Sequence, residues 1–199
     1  LLSKLADQVS MTATVSDGTT ANNTVTVSTN AAAVAGNYSF TVDSVASYHQ
    51  MSSKAFADTD TTSVGTGNLV LTLGEETATI DLTGKTLNDL RDAINEADIG
   101  VNASFVSQGT TYRLFINSQT LGTAGTVSTV GSDQTALDAV GVFTMQAAAD
   151  TVLTFGSGED AFQVTRASKN LTGVIAGVSI NLTSSAVGKS VSLNVTPNY

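Results

Sequence analysis

Carboxylates at helical spacing are the pattern in this sequence with the most direct route to chemistry. In KTLNDLRDAINEADIGVNASFV, residues 85–106, Asp89, Asp92 and Glu96 stand among Leu87, Leu90 and Ile94. Two carboxyl groups held in a cleft with separated pKa values can serve as acid and base. On a helix, however, these three acids fall opposite the apolar stripe, where side chains meet water, and Asp89 also complements the dipole at the helix start. The spacing therefore favours a wet outer face over an active site.

Other candidates are weaker. DTDTTSVGTG, from Asp58, opens like a calcium loop, but position six is Ser63 where glycine makes the turn and position twelve is Leu69 where a bidentate Glu belongs. It reads as a solvated linker. Gly65 and Gly67 lack the third glycine of a dinucleotide loop, and no Lys-Ser or Lys-Thr follows at P-loop spacing, so they read as turn glycines. His49 is the single histidine; out of phase with Tyr48, it reads as an exposed residue at a strand end, and a general-base role has no partner in the sequence. The absence of cysteine excludes disulfides, thiolate zinc sites and cysteine nucleophiles. Asn-x-Ser/Thr sequons at Asn22, Asn37, Asn102, Asn170, Asn181 and Asn194 are expected by chance in a chain this rich in Asn, Ser and Thr. No catalytic, cofactor-binding or metal residue is assigned, and no cofactor is expected.

Charge narrows the partners. A net charge of −9 with eight scattered basic residues is the wrong footprint for nucleic acid, which demands clustered Lys and Arg. No apolar run is long enough to span a bilayer, and no amphipathic stretch has a basic face, so membrane contact is not expected. LLSKLADQVS lacks the apolar core and small-residue cleavage site of a Sec signal. With 41% hydrophobic and only 13% charged residues, the chain can fold but must owe its solubility to Ser, Thr and Asn.

The elements that would position these residues are mostly strands. Leu1, Leu2, Leu5 and Val9 form a short helical stripe with nothing to pack on, which implies a stub cut from a longer helical region. From Met11 the period becomes two: TATVS, NTVTVST, NYSFTVDSVASYHQM and AFA are separated by Asp-Gly, Asn-Asn and Ala-Gly turn signals. NLVLTL and TATIDL make a hairpin turning at Gly74 to Glu76. Thr86 then N-caps a helix with Asp89 completing a capping box, Leu87, Leu90, Ile94 and Ala97 supply its stripe, and Gly100 stops it. VNASFVS and YRLFINS form a second hairpin, and a short helix starts near Ser132 or Asp133. After residue 150 strands return, the last carrying Pro197, the only proline. The expected fold is mainly β with minor α, an α+β arrangement of two β-rich domains. Residues 1–10 are the stub, 11–63 plus 151–199 a discontinuous β-rich domain, and 64–150 an α+β domain inserted in it.

Three blocks carry a resemblance. GNYSFTVDSVASYHQMSSKAFAD (36–58) and DAFQVTRASKNLTGVIAGVSINLTSSAVGKSVSLNVTPN (160–198) resemble the bacterial flagellar hook-associated protein 2 family, and TLNDLRDAINEADIGVNASFV is similar to the flagellar hook IN motif, named for the pair seen here as Ile94-Asn95. VTRASK departs from the Gly-containing turn of many members, which touches a loop only. The resemblance implies the head of the filament cap without its helical legs: a structural, non-enzymatic protein that oligomerises as a ring and assists the folding and incorporation of exported flagellin. It further implies an extracellular place at the flagellum tip and export by the flagellar type III route. The alternative is a tip adhesin for host mucin or glycans, for which no aromatic platform is evident among Tyr38, Tyr48, Tyr112 and Tyr199. Interface residues for self-assembly or flagellin are not readable.

Overall fold

The structure, a computed structural model, describes residues 10–16 and 24–198. In chain order the elements are β1 (Ser10–Ser16), β2 (Val25–Thr29), β3 (Gly36–Ser44), β4 (Tyr48–Ser52), β5 (Asn68–Leu73), β6 (Glu76–Asp81), α1 (Leu87–Glu96), β7 (Val101–Gln108), β8 (Thr111–Leu121), β9 (Val127–Ser128), α2 (Gln134–Val140), β10 (Phe143–Gln146), β11 (Thr151–Phe155), β12 (Phe162–Arg166), β13 (Asn170–Ile175), β14 (Val178–Leu182) and β15 (Ser190–Asn198). Among the described residues the fold is mainly β with two short helices. The chain divides into an outer unit, up to Ala46 and from Asp150 onward, and a central unit, Ser47–Ala149, inserted in it. The stripe at Leu1, Leu2, Leu5 and Val9 lies outside the described residues.

The outer unit is a sandwich of antiparallel sheets, one of order β1-β15-β3-β11-β12 and one of order β13-β14-β2. Alternation drives it: Val191, Leu193 and Val195 are buried while Ser192, Asn194 and Thr196 are exposed. Those three join Phe40, Val42 and Leu153 of the same sheet, and Val25, Leu171, Ile180 and Leu182 of the other, in one apolar cluster. The β13–β14 hairpin turns at Gly177, whose φ of +69° suits glycine and whose missing Cβ leaves room for Ala33; a Cβ there would lie 2.0 Å from the Ala33 nitrogen. β1 runs antiparallel to β15 with Ser10 opposite Asn198 and Ser16 opposite Ser192.

The central unit holds a four-stranded sheet, β10-β4-β8-β7, a three-stranded sheet, β6-β5-β9, and both helices. Its core gathers Leu69, Leu71, Ile80, Leu87, Leu90, Ile94, Leu114 and Ile116, all deeply buried. The β5–β6 hairpin pairs Leu73 with Glu76 across Gly74 and Glu75. α1 begins as its sequence dictates: Thr86 Oγ1 accepts from the Asp89 N–H and the Asp89 carboxylate accepts from the Thr86 N–H at 2.8 Å. α2 starts after Asp133, whose carboxylate accepts from the Asn68 N–H at 2.7 Å instead of capping the helix, and is closed by Gly141 in the left-handed region.

Two expectations need correction. The chain enters the central unit at Ser47 rather than at residue 64, because the segment after β3 pairs with β8: Gln50 lies opposite Asn117, Ser53 N–H donates to the Leu114 carbonyl at 2.8 Å, and Phe56 exchanges two backbone hydrogen bonds with Tyr112. The run from Asn37 to Met51 is therefore two strands belonging to different units. Gly100 is also not what ends α1. The helix stops at Ala97, and Asp98, at φ 48°, takes the left-handed position that turns the chain away.

Candidate functional site

The helical acids do not converge. Asp89 is consumed by the capping box, and the Thr86 N–H and hydroxyl hold its carboxyl below the usual range. Asp92 pairs with its neighbour Arg91 at 2.6 Å, and the Arg91 guanidinium lies 4.9 Å above the Phe105 ring, so the cation is shared between a carboxylate and an aromatic face. Glu96 is exposed. α1 turns Leu87, Leu90 and Ile94 inward and leaves its acids in water, which separates them from any cleft.

The Asp58 segment is a closed turn. One Asp58 oxygen accepts from the N–H groups of Asp60, Thr61 and Thr62 at 3.1, 2.8 and 3.0 Å, and the other accepts from the Thr62 hydroxyl. Those bonds, the hydroxyl first, push the Asp58 carboxyl far below the ordinary carboxylate range. Asp60 in turn accepts from the Asn88 amide and the Thr59 hydroxyl. The lone pairs a cation would use are occupied by the loop's own donors. Among the described residues no three His, Cys, Asp or Glu side chains converge on a metal position. Gly65, at φ +135°, packs against α2, where a Cβ would meet that of Ala139 at 2.4 Å.

His49 departs from expectation: it is 5% exposed, not a strand-end surface residue. β4 alternates here, with Tyr48 and Gln50 outside and His49 and Met51 inside, and the register against β8 shifts between Tyr48 and Gln50. The strand's alternation turns the imidazole inward, where Nδ1 accepts the Val127 N–H at 2.8 Å and Nε2 lies 3.2 Å from Thr144 Oγ1. Burial pushes its pKa down.

Asn95 has a role that spacing alone did not show. β7 is an edge strand, and the Asn95 carboxamide accepts from the Ala103 N–H at 2.7 Å while donating to the Ala103 carbonyl at 3.0 Å. A side chain thus stands where the next strand would be. The signal for it lies in the Ile94-Asn95 pair: one residue points to the core, its neighbour back along the sheet edge.

One face of the outer unit is polar and open. On the outer unit, a shallow groove of 320 Å³ is lined by Ser16, Asn37, Ser39, Ser192 and Asn194, with Val15 and Leu193 beneath. Among the described residues of the central unit the tyrosines stand apart: Tyr48 lies opposite Leu121 at one end of β8 and Tyr112 stands at the other end. Tyr38 belongs to the outer unit, where its hydroxyl donates to the Val34 carbonyl.

No family model matches the chain. The lateral flagellar hook-associated protein 2 of Vibrio parahaemolyticus is 34% identical over 175 residues, which cover 79% of this chain and 39% of that protein. The chain therefore spans about two fifths of the length of the curated relatives it matches. Among solved structures, the D2-D3 domains of the flagellar cap protein FliD from Escherichia coli superpose with a TM-score of 0.68, covering 96% of this chain and 100% of that one; at 23% identity this is a likeness of fold. FliD (HAP2) from Pseudomonas aeruginosa PAO1 superposes with a TM-score of 0.61 at 26% identity, covering 88% of this chain and 86% of that one. Sequence over most of the chain and fold over nearly all of it place it in the flagellar hook-associated protein 2 family, as a portion corresponding to the D2-D3 head domains.

Proposed function

We propose that this chain is the head of a cap at the distal tip of the bacterial flagellar filament, a structural element that performs no chemical step. Copies of the whole protein form a ring-like plate there, and exported flagellin folds and is incorporated beneath it. The protein reaches the tip by the flagellar export route. One observation carries the reading: a two-unit head, with one unit inserted in the other, corresponds to the full length of the D2-D3 domains of a flagellar cap protein. The surfaces support it. The hydroxyl- and amide-lined face of the outer sheet offers a passing polypeptide neither the aromatic nor the Arg anchors that make tight interfaces, and so favours transit over capture.

The test is genetic. In a strain lacking its cap protein, a full-length version with residues 10–198 replaced by a short flexible linker should fail to restore filament growth, whereas the intact version restores it. Filaments of normal length from the headless version would overturn the reading.

A further inference from the structure

We propose that His49 is a proton-sensitive latch that joins the two sheets of the central unit. The imidazole reaches from β4 in the four-stranded sheet to the backbone of β9 in the three-stranded one, and also contacts β10. Val127 is paired with Leu73 on its other side, so its N–H points at the ring as the end of the β5–β9 ladder.

The Val127 hydrogen bond dictates the tautomer. An N–H that donates to Nδ1 requires a bare lone pair there, so the ring proton sits on Nε2 and is donated to Thr144 Oγ1. Protonation would put a hydrogen on Nδ1, facing the Val127 N–H head-on. The cation would also be buried without a counter-charge. β5, β9 and β10 carry no ionisable side chain. β4 adds only Tyr48, exposed and adjacent in sequence; β8 adds Tyr112, at its far end, and Arg113, whose guanidinium is engaged with the Ser53 carbonyl and Gln108. Thr144 is exposed, so the ring lies one hydroxyl from water and a proton has a short path in. Charging His49 must then break the hydrogen bond to Val127, and with it this tie between the sheets.

The sign follows from linkage. The folded state keeps the imidazole neutral, whereas a free histidine titrates near 6.5. Below that pH the opened chain binds a proton that the closed one does not, so the latch holds fully above about pH 6.5 and weakens as pH falls.

The test uses the full chain and His49→Asn, whose Oδ1 replaces Nδ1 as a non-titrating acceptor. Between pH 7.5 and 5.5, the unfolding constant of the wild type should rise by up to about tenfold more than that of H49N, and the Val127 amide of the wild type should lose protection from hydrogen exchange. If H49N does not fold, ring nitrogen shifts of the wild type decide the matter: an Nε2–H tautomer at pH 7.5, with the ring still neutral well below pH 6.5, supports the latch. An Nδ1–H tautomer, a ring that titrates at or above 6.5, or an identical pH response in the two proteins would overturn it.

Discussion

The carboxamide of Asn95 and the peptide groups of Ala103 meet as two neighbouring strands would, one hydrogen bond in each direction, at 2.7 and 3.0 Å. A helix side chain thereby closes the edge of a sheet. Edge strands otherwise offer unpaired N–H and C=O groups to other chains. Asn95→Ala should destabilise the central unit by about 1–2 kcal/mol, the value of two ordinary hydrogen bonds, and should raise thioflavin-detected aggregation at high concentration. Wild-type urea and aggregation curves from the variant would remove the edge-closing role.

α1 distinguishes core from surface within one turn. Leu90 is fully buried, so Leu90→Asp should cost roughly 3 kcal/mol or more by burying an unpaired charge. Asp92, whose ionic partner is the solvent-accessible neighbour Arg91, should tolerate Asn within about 0.5 kcal/mol. Chemical denaturation of both variants checks the contrast, and a costly D92N would give the acidic face a role beyond solvation.

Acid should act on the Asp58 turn at a lower range of the pH scale than on His49. The folded-state pKa of Asp58 lies below its unfolded value, so its contribution is present above about pH 4 and is lost as pH falls through the folded value. Between pH 5 and pH 2 the Tm of the wild type should therefore fall further than that of Asp58→Asn. Parallel melting curves would mean that the turn's hydrogen bonds persist in the unfolded chain.

Two glycines separate backbone strain from crowding. At Gly188, φ is +78° and no atom lies within 4 Å of an added Cβ, so Gly188→Ala should cost only the left-handed penalty, about 1–2 kcal/mol. Gly177→Ala adds a collision with the Ala33 backbone and should cost roughly 3 kcal/mol or more. Equal losses for the two in thermal unfolding would show that the loop at Ala33 yields freely.

The central unit should fold alone. Its two ends, Ser47 and Ala149, are held by reciprocal backbone hydrogen bonds of 2.9 and 3.4 Å, and its core is separate from that of the outer unit. Expressed as residues 47–149, it should melt in one cooperative transition by circular dichroism. A sloping, transition-free trace would show that it depends on the surrounding strands.

Features governed by local chemistry were legible before the fold was known. Thr86 and Asp89 announce the start of α1, Leu87, Leu90 and Ile94 its inner face, and Gly74 the β5–β6 turn, because caps, stripes and tight turns depend on residues a few positions apart. The crossing at Ala46–Ser47 was not, since β3 and β4 are joined without Gly or Pro and no turn signal marks the change of unit. His49 lies beyond a slip in the alternation: Val45 and Ala46 are both buried, after which Tyr48 and Gln50 face out while His49 and Met51 face in, so the phase set by Phe40 and Val42 does not carry into β4. β10 could not announce itself because every residue of this edge strand is exposed, leaving no burial period to read. Nor could Asn95 be matched with Ala103 without knowing that β7 lies at an edge.

The pairing of β1 with β15 sets how the outer unit responds to pulling. Because Ser10 faces Asn198, the chain enters and leaves this pair at the same end, and tension between those points acts across the strands instead of along them. Bonds so loaded break in succession, as in a zip, while strands pulled lengthwise must break many at once. Drag transmitted through these two points would therefore peel β1 from β15 at small force, and the sandwich behind them would stay closed while its outermost strand acts as a mechanical fuse.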